Sequence, residues 1–431
     1  MAMRSDNDIM EGSSEPPPPR ITSRYLLAIN VPLFRDRDGV IYAGQLWFKD
    51  LAEHLSYLDR FILACPVLEG LPAEVAVSLQ SDARFARVQV VALPAPQSPV
   101  RAMLALPRTL PSLWRAVRSA EVIHSGVAGW PIPYGWLVTP MARLLRRKLV
   151  IIVESAPWRL KAGLPQSLKS RITAGVYERL ARWCLSRADL AIFTQDDYRR
   201  SLLVREPERG HVIHASWIDE ESIISDAHAE AIWREKIARK SSGLTILFAG
   251  RLDLQKGVAV LLEAIRVLAR KNVPVTLDIL GAGDLADQCK EVSAELHGLT
   301  HVNMLGTVAY GAPLFELLQR YHAVILPSIS DEQPRIVYDA YSQGVPVLAS
   351  GTAGLRDCIH ESQTGWLVEP NNVEALGSVI ERAAANVEEL RRMGMEALRV
   401  ARSMTHRHMH RERQLLLLQL TRATAAPAKP G

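Results

Sequence analysis

The sequence predicts two doubly wound α/β domains that face each other across a cleft, and three observations support this fold class. The chain has 431 residues, of which 48% are hydrophobic and 23% charged, so each of two domains can bury a full core. Short apolar runs alternate with amphipathic helical segments, a pattern typical of parallel sheets covered by helices on both faces. The alternation occurs in two series, which the polar stretch Glu220–Lys240 separates.

The first series predicts an N-terminal domain over residues 24–218. Apolar residues at helical spacing predict a helix at Leu46–Leu58. A second helix, between the strands Val122–His124 and Leu149–Val153, is predicted to end in the segment Arg143–Lys148. Residues 1–23 are polar and acidic with a run of prolines, which predicts a disordered tail without an apolar signal segment. The predicted strands are Tyr25–Ile29, Phe61–Ala64, Val88–Leu93, Val122–His124, Leu149–Val153, Leu190–Phe193 and Val212–His214.

The second series predicts a C-terminal domain over residues 241–403, joined to the first by a linker at 219–240 that is expected to include a helix. A helix is predicted over residues 404–424, and residues 425–431 are expected to be disordered. The predicted strands are Thr245–Ala249, Val275–Leu280, Val302–Leu305, Ala323–Leu326, Val345–Ala349 and Trp366–Val368. The predicted helices are Val258–Lys271, Asp284–His297, Pro313–Arg320, Arg335–Ser342 and Val373–Ala385.

Charge is spread unevenly along the chain. The formal net charge is +5, yet residues 101–211 hold 19 Lys/Arg and 8 Asp/Glu, a net charge of +11. Such a region attracts nucleic acid, an anionic membrane or a phosphorylated substrate, or it is simply a solvated basic surface. The uncharged run Ser125–Ala142 contains three prolines and three glycines, so no membrane-spanning helix is expected there. The four cysteines are scattered, which excludes a zinc or redox motif and suits a reducing compartment.

The segment Phe248–Gly257 is the first candidate binding motif, because it lies where a strand turns into a helix. Ligands of open α/β sheets bind at the carboxyl ends of strands. Gly250 allows close approach of the backbone, and Gly257 opens a helix whose N-terminus favours an anion. Arg251 and Lys256 add two cations, which suits a diphosphate leaving group in a site without a fixed metal. The alternative is an ordinary surface turn.

A second glycine motif, Gly281-Ala-Gly283, also follows a strand. With Ala286 it matches the dinucleotide-binding pattern G-x-G-x-x-A. That pattern requires an acidic residue near the end of the next strand, and His301–Gly306 contains none. A nicotinamide site is therefore disfavoured, and a tight turn beside a nucleotide is the better interpretation.

The segment Pro327–Ala340 is the most specific motif, because it combines a loop acid with an acid on a short helix. Asp331 and Asp339 could accept hydrogen bonds from two sets of sugar hydroxyls. The backbone N–H groups of Arg335, Ile336 and Val337, at the start of that helix, could meet a phosphate. The alternative is that Asp331 and Glu332 only cap the helix.

Residues 250–370 resemble the donor half of family 4 glycosyltransferases, which have the GT-B fold of two Rossmann-like domains. The resemblance is carried by Gly250-Arg-Leu with Lys256-Gly257, by Gly281-Ala-Gly-Asp284, and by Pro327-Ser328 followed by Asp331 and Asp339. Gly344-Val-Pro346 and Thr364-Gly365 complete it. Weaker similarity extends over the N-terminal domain, where Gly44 resembles part of the glycine-bearing first loop.

The resemblance implies a role for each matching residue. Arg251 and Lys256 would bind the donor diphosphate, Asp339 the ribose, and Asp331 the transferred sugar. Transfer in this family retains the anomeric configuration and needs no fixed metal. Both acids are usually Glu in the family, and Glu332 competes with Asp331 for the sugar.

Two further positions concern the N-terminal domain and the C-terminal helix. Where the family often has a His after the strand Leu149–Val153, this sequence has Glu154. Glu154 either contacts a sugar hydroxyl or the acceptor, or it pairs with Arg159. His406, His408 and His410 follow one another at a spacing of two, which is not expected to place these histidines on one helix face, so no metal site is predicted.

The sequence therefore predicts a retaining hexosyltransferase that uses a nucleotide-diphosphate sugar and a glycan or lipid-linked acceptor, in surface polysaccharide or glycolipid synthesis. The alternatives are a GT-B epimerase and a non-catalytic nucleotide-sugar binding protein. No cofactor, metal or nucleic acid is expected. The basic region with Trp130, Tyr134 and Trp136 suggests peripheral attachment to the inner face of the cytoplasmic membrane.

Overall fold

The structure is a computed structural model that describes residues 19–72, 75–160, 166–238, 243–330 and 334–422. Within these residues, each half of the chain has its own parallel sheet with helices on both faces. The prediction of two doubly wound α/β domains is confirmed.

The N-terminal sheet is built around parallel strands in the order β6-β4-β1-β7-β8-β9-β10. A short extension, β2-β3-β5, continues from the far end of β4 and was not predicted from the sequence. The strands are β1 Ile21–Ala28, β2 Leu33–Arg35, β3 Ile41–Gly44, β4 Leu58–Glu69, β5 Ala76–Ser78, β6 Gln89–Leu93, β7 Val122–Gly126, β8 Lys148–Val153, β9 Leu190–Phe193 and β10 Gly210–Val212.

Helices cover both faces of this sheet. They are α1 Gln45–Tyr57, α2 Pro99–Ser119, α3 Tyr134–Leu144, α4 Leu168–Arg187 and α5 Asp196–Leu202. The sequence did not predict α2, which contains Pro107 and Pro111, residues that usually interrupt a helix. The side chain of Ser98 caps its first turn. Between β1 and α1 the chain forms a hairpin rather than a simple loop, and Gly44 immediately precedes α1.

The C-terminal sheet is parallel, in the order β13-β12-β11-β14-β15-β16. In chain order this is 3-2-1-4-5-6, the strand order of dinucleotide-binding domains. The strands are β11 Leu244–Ala249, β12 Val275–Leu280, β13 Thr300–Gly306, β14 Ala323–Leu326, β15 Val347–Ser350 and β16 Gly365–Val368. The helices are α6 Asp226–Ala238, α7 Val258–Arg270, α8 Ala286–Glu295, α9 Ala312–Leu318, α10 Ile336–Ser342, α11 Ala353–Cys358, α12 Val373–Ala385, α13 Val387–Ser403 and α14 His406–Arg422.

The segment predicted as a linker, 219–240, differs from that prediction. Its helix α6 packs on the C-terminal domain, where Trp233 is buried in the core and its indole N–H donates to the carbonyl of Gly344 at 2.9 Å. Burial of a large aromatic ring explains why this polar helix stays attached. Residues 219–225 form the described connection between the domains.

The last helix, α14, leaves the C-terminal domain and packs on the N-terminal one. Met409, Leu417 and Leu418 belong to the core that also contains β1, β4 and α1. Strand β1 begins at Ile21, which is buried, so residues 21–23 are part of the sheet and not of the predicted tail. The other residues of the two predicted tails, 1–18 and 425–431, lie outside the described residues.

No helix among the described residues is long and apolar enough to cross a membrane. The uncharged run Ser125–Ala142 instead contains the end of β7, a connecting segment and most of α3. The four cysteines are all buried, and none of them is in a disulfide bond.

Candidate active site

The order of the C-terminal strands reverses between β11 and β14, and the first and third motifs follow these two strands. In open α/β sheets the crevice at such a reversal is where ligands bind. The loops are in direct contact, because the N–H of Ile329 donates to the carbonyl of Gln255 at 2.9 Å. Gly257 has a φ of +70°, and a side chain there would overlap the carbonyl oxygen of Pro327. The glycine is therefore required for this close approach.

The two cations of the first motif lie beside the same acid. The guanidinium of Arg251 is largely exposed and lies 3.3 Å from the carboxylate of Asp253. That carboxylate also accepts a hydrogen bond from the backbone N–H of Lys256 at 2.9 Å. Asp253 thus fixes the turn that carries both cations.

The second motif packs against the first. A side chain at Gly281 would overlap the carbonyl oxygen of Gly250, and one at Gly283 would come within 2.5 Å of the carbonyl oxygen of Leu252. The N–H of Leu252 donates to the carbonyl of Ala282 at 2.9 Å. The glycines therefore serve contact between the two loops, as expected for a tight turn.

Asp339 is buried on α10, and its carboxylate accepts a hydrogen bond from the hydroxyl of Tyr310 at 3.1 Å. Burial raises the pKa of Asp339 to about 7, although the Tyr310 hydroxyl and the charges of Arg335 and Lys49 oppose the rise. The sequence did not single out Tyr310 or Lys49. Lys49 belongs to α1 of the other domain and is 2.9 Å from the carboxylate of Asp219, so it lies at the junction between the domains.

The other residues of the third motif are only partly described. Asp331 and Glu332 lie outside the described residues. Arg335 precedes α10, and its guanidinium is 5.9 Å from the centre of the Trp217 ring. The N–H of Val337 donates to the carbonyl of Pro334 at 3.3 Å, so the expectation that all three N–H groups are free for a phosphate is wrong for Val337. The tight turn before the helix provides this bond.

The N-terminal sheet reverses its strand order between β1 and β7, and a cavity of about 630 Å³ opens there. Its walls are mostly apolar and aromatic, and three tryptophans contribute to them. The larger apolar and aromatic lining residues are Leu27, Ile29, Val31, Trp47, Trp130, Ile152, Trp158 and Tyr177. We call this space the switch-point cavity. Both domains thus have a candidate ligand site at the position where their topology favours one.

Glu154, directly after β8, is one of two acids that line the switch-point cavity, and Asp50 is the other. The side chain of Glu154 is open to solvent through the cavity. The protein around its carboxyl nevertheless displaces part of the water and raises the pKa of Glu154, while the nearby charge of Arg413 opposes the rise. The alternative pairing with Arg159 is not present, because Arg159 contacts Glu178 at 3.3 Å and Asp197 at 3.1 Å.

A polar cluster at the base of the cavity was missed by the sequence analysis. Asp50 of α1 lies 3.0 Å from His410 and 3.5 Å from His406, both on α14. The expectation that these histidines do not share a helix face is wrong for His406 and His410, which are four residues apart and lie on one face. The helical repeat could have revealed this pair, but Asp50 is distant in sequence. Arg413 of α14 lines the cavity as well.

Sequence comparisons with known proteins identify relatives of part of the chain. Residues 229–400 match the family model described as glycosyl transferases group 1. Over 162 residues the chain is 32% identical to an uncharacterised glycosyltransferase of Methanocaldococcus jannaschii, covering 36% of this chain and 40% of that protein. A D-inositol 3-phosphate glycosyltransferase of Streptomyces coelicolor is 28% identical over 184 residues, covering 41% and 40%. The matches thus span less than half the length of these curated relatives.

Solved structures are similar over nearly the whole chain. Anabaena HepE in complex with UDP has a TM-score of 0.62 at 16% identity, covering 92% of this chain and 99% of that one. Sucrose-phosphate synthase of Thermosynechococcus elongatus has a TM-score of 0.64 at 18% identity, covering 94% and 100%. The described part of the chain therefore has the GT-B fold, and residues 229–400 carry the sequence pattern of group 1 glycosyltransferases.

Proposed function

We propose that this protein is a retaining glycosyltransferase that transfers a sugar from a nucleotide-diphosphate donor to a hydroxyl of a lipid-linked acceptor in surface polysaccharide or glycolipid synthesis. One observation carries the proposal. The strand order reverses in both domains, and a loop with two cations follows the reversal in one domain, while a largely apolar cavity lined by two acids opens at the other. Such an arrangement suits a charged donor and an amphipathic acceptor.

The donor half would act on the leaving group. As the bond between the anomeric carbon and the phosphate oxygen breaks, its electron pair remains on the diphosphate. Arg251 and Lys256 would stabilise that charge without a fixed metal. The acceptor oxygen bonds to the anomeric carbon from the same face, and its proton passes to the departing diphosphate. Asp339 would hold the ribose and Asp331 the transferred sugar, as the family resemblance implies.

The acceptor half would bind its ligand in the switch-point cavity. Glu154 would accept a hydrogen bond from an acceptor hydroxyl, because it is the carboxyl that follows β8 at the cavity wall. The tryptophan-rich walls would contact an apolar part of the acceptor. Thr173 and Tyr177 of α4 complete the lining on one side.

Helix α4 connects the cavity to an exposed apolar surface. Leu168, Ile172 and Val176, at a spacing of four residues, are 74%, 60% and 45% exposed. We call these three residues the α4 apolar face. Basic residues on the same helix, including Lys169 and Arg171, would favour an anionic membrane. A lipid acceptor could then enter the cavity from the inner surface of the cytoplasmic membrane.

Product analysis would test the function. The purified protein is incubated with UDP-glucose and other nucleotide sugars, with and without a short-chain lipid-linked sugar, and the anomeric configuration of the product is read by NMR. UDP-glucose is the first choice because HepE was solved with it. We expect an acceptor-dependent product with the donor's configuration. An epimerised sugar without acceptor would favour the epimerase, and nucleotide-sugar binding without any turnover would favour a non-catalytic binding protein.

Affinity for UDP is expected to depend on the ionisation of Asp339. Its pKa of about 7 means that most of the carboxyl is protonated at pH 6 and most is ionised at pH 8. Only the carboxylate accepts hydrogen bonds from both ribose hydroxyls, so affinity should rise with pH by up to about tenfold over this interval.

Calorimetry with UDP at several pH values measures this effect. Asp339→Asn should bind UDP weakly at every pH and lose the part of the pH dependence that comes from the protein. Asp331→Asn should retain UDP binding but lose most sugar transfer. Equal loss of UDP binding in both variants would contradict the division of roles.

Membrane binding is expected to require the α4 apolar face. The wild-type protein should float with anionic vesicles at low salt, and binding should weaken as salt rises. Ile172→Glu should abolish most of this binding, because a charge would then face the acyl chains. The matched control is Leu299→Glu, an equally exposed apolar residue of the C-terminal domain. Failure of the wild type to float at low salt would refute membrane attachment.

A further inference from the structure

Asp50, His406 and His410 form a buried cluster that joins two helices. The proposed glycosyl transfer gives these three residues no role. Asp50 belongs to α1, and both histidines belong to α14, the helix that crosses from one domain to the other. Their side chains are almost completely buried. We refer to these three residues as the α1–α14 cluster.

The geometry of the α1–α14 cluster fits a metal ion. One carboxylate oxygen and one ring nitrogen from each histidine all lie within 4.8 Å of one another. Asp50 Oδ1 lies 3.0 Å from Nε2 of His410 and 3.5 Å from Nε2 of His406. Ligand atoms about 2 Å from a common zinc ion are separated by similar distances. Small side-chain shifts would place all three around one ion.

The atoms that would not bind the metal are held by other groups. Nδ1 of His54 is 2.9 Å from the backbone carbonyl of Asp50 and 3.3 Å from Asp50 Oδ2. The hydroxyl of Tyr57 is 3.2 Å from Nδ1 of His410. Outer contacts of this kind orient the ligands of metal sites. They leave Asp50 Oδ1 and His410 Nε2 directed at the centre of the cluster.

His406 supplies an independent observation. Its Nε2 is buried and, among the described residues, has no hydrogen-bond partner, because the approach to Asp50 at 3.5 Å is not a well-formed bond. An unsatisfied buried polar atom is costly, and a metal ion would satisfy it. The imidazole stacks on Trp217 at 5.4 Å between ring centres, which holds its ring plane.

We propose that Asp50, His406 and His410 bind one divalent transition-metal ion, with zinc as the probe, and that this ion fastens α14 to the N-terminal domain. Two imidazoles and a carboxylate form a donor set that suits zinc. Asp50 lines the switch-point cavity, from which water could supply a fourth ligand. The nearby charge of Arg413 opposes the cation and limits its affinity, whereas that of Glu154 favours it. The Trp217 ring contacts both His406 of this site and Arg335 beside the donor loops, so the two sites are neighbours.

Metal analysis and thermal unfolding of the full chain test the proposal. The protein is stripped with a chelator, dialysed and titrated with Zn²⁺, and bound zinc is counted by mass spectrometry. We expect one equivalent and a rise in Tm of roughly 5 °C at saturating zinc. Co²⁺ should give a visible absorption band from nitrogen and oxygen ligands. No retained zinc and no shift in Tm would overturn the proposal.

Variants assign the ligands. His406→Gln should lower zinc affinity at least about 10-fold and remove the Tm rise. The matched control is His408→Gln on the same helix, since His408 is exposed and lies 3.7 Å from Glu412. Asp50→Asn should behave like His406→Gln. If Asp50→Asn does not fold, the comparison of His406→Gln with His408→Gln still tests whether His406 binds zinc. Equal zinc binding in these two variants would contradict the proposed ligands. UDP binding is measured in parallel, so that a loss of zinc binding is distinguished from a loss of donor binding.

Discussion

Turnover should fall by about 10²–10³-fold when either Arg251 or Lys256 is replaced by alanine, while the fold remains intact. A cation directed at the charge that develops on a leaving group typically contributes this much to the rate. Both residues lie on the turn after β11, at the reversal of the C-terminal sheet, and Asp253 holds the turn through contacts with both. Steady-state kinetics with the best nucleotide sugar is the measurement.

A matched variant separates this effect from a general loss of surface charge. Arg270→Ala removes an exposed cation near the other end of α7, where the guanidinium lies 3.6 Å from Glu263. It should retain activity and stability close to the wild type. Circular dichroism and Tm must be unchanged in all three variants. Wild-type activity of both Arg251→Ala and Lys256→Ala would remove the donor loop from the proposed mechanism.

Gly257→Ala is expected to lower Tm and to abolish most nucleotide binding. The φ of +70° costs an L-residue about 1–2 kcal/mol. The added methyl group would also overlap the carbonyl oxygen of Pro327, so the loops after β11 and β14 would have to separate. Since both loops line the predicted donor site, a small separation should impair binding more than stability. Thermal unfolding and UDP calorimetry measure the two effects.

The control for this variant is another Gly→Ala change of the opposite expected sign. Gly377 lies inside α12, and a side chain there would meet no atom within 4 Å among the described residues. Alanine is the better helix former by about 1 kcal/mol, so Gly377→Ala should raise Tm slightly and leave UDP binding unchanged. If Gly257→Ala bound UDP as tightly as Gly377→Ala, the contact between the two loops would not matter for the donor.

The sequence by itself determined the helices, strands and turns that depend on residues close together in the chain. The alternation of apolar runs and helical segments predicted the fold class, because strand and helix periodicity are local properties of the chain. The glycines at 257, 281 and 283 marked turns after strands, and the structure shows that each avoids an overlap with a backbone carbonyl. The assignment of the donor residues themselves stays a prediction.

Predictions from the local sequence pattern were wrong where tertiary packing outweighed the helix propensity of the segment. Helix α2 forms despite two internal prolines, since its buried face packs on the sheet. The polar helix α6 was assigned to a linker, although one buried tryptophan attaches it to the C-terminal domain. In both cases the stabilising contacts come from residues far away in the chain.

Only the tertiary structure decided which distant residues meet. The strand orders place loops after β11 and β14, and after β1 and β7, at two sheet reversals that no local pattern reveals. The raised pKa of Glu154 comes from the protein that surrounds it. Asp50 and His410 are 360 residues apart, yet the return of α14 to the N-terminal domain brings them to 3.0 Å. Such contacts arise from burial of apolar surface by whole helices, so the sequence around either residue does not encode its partner.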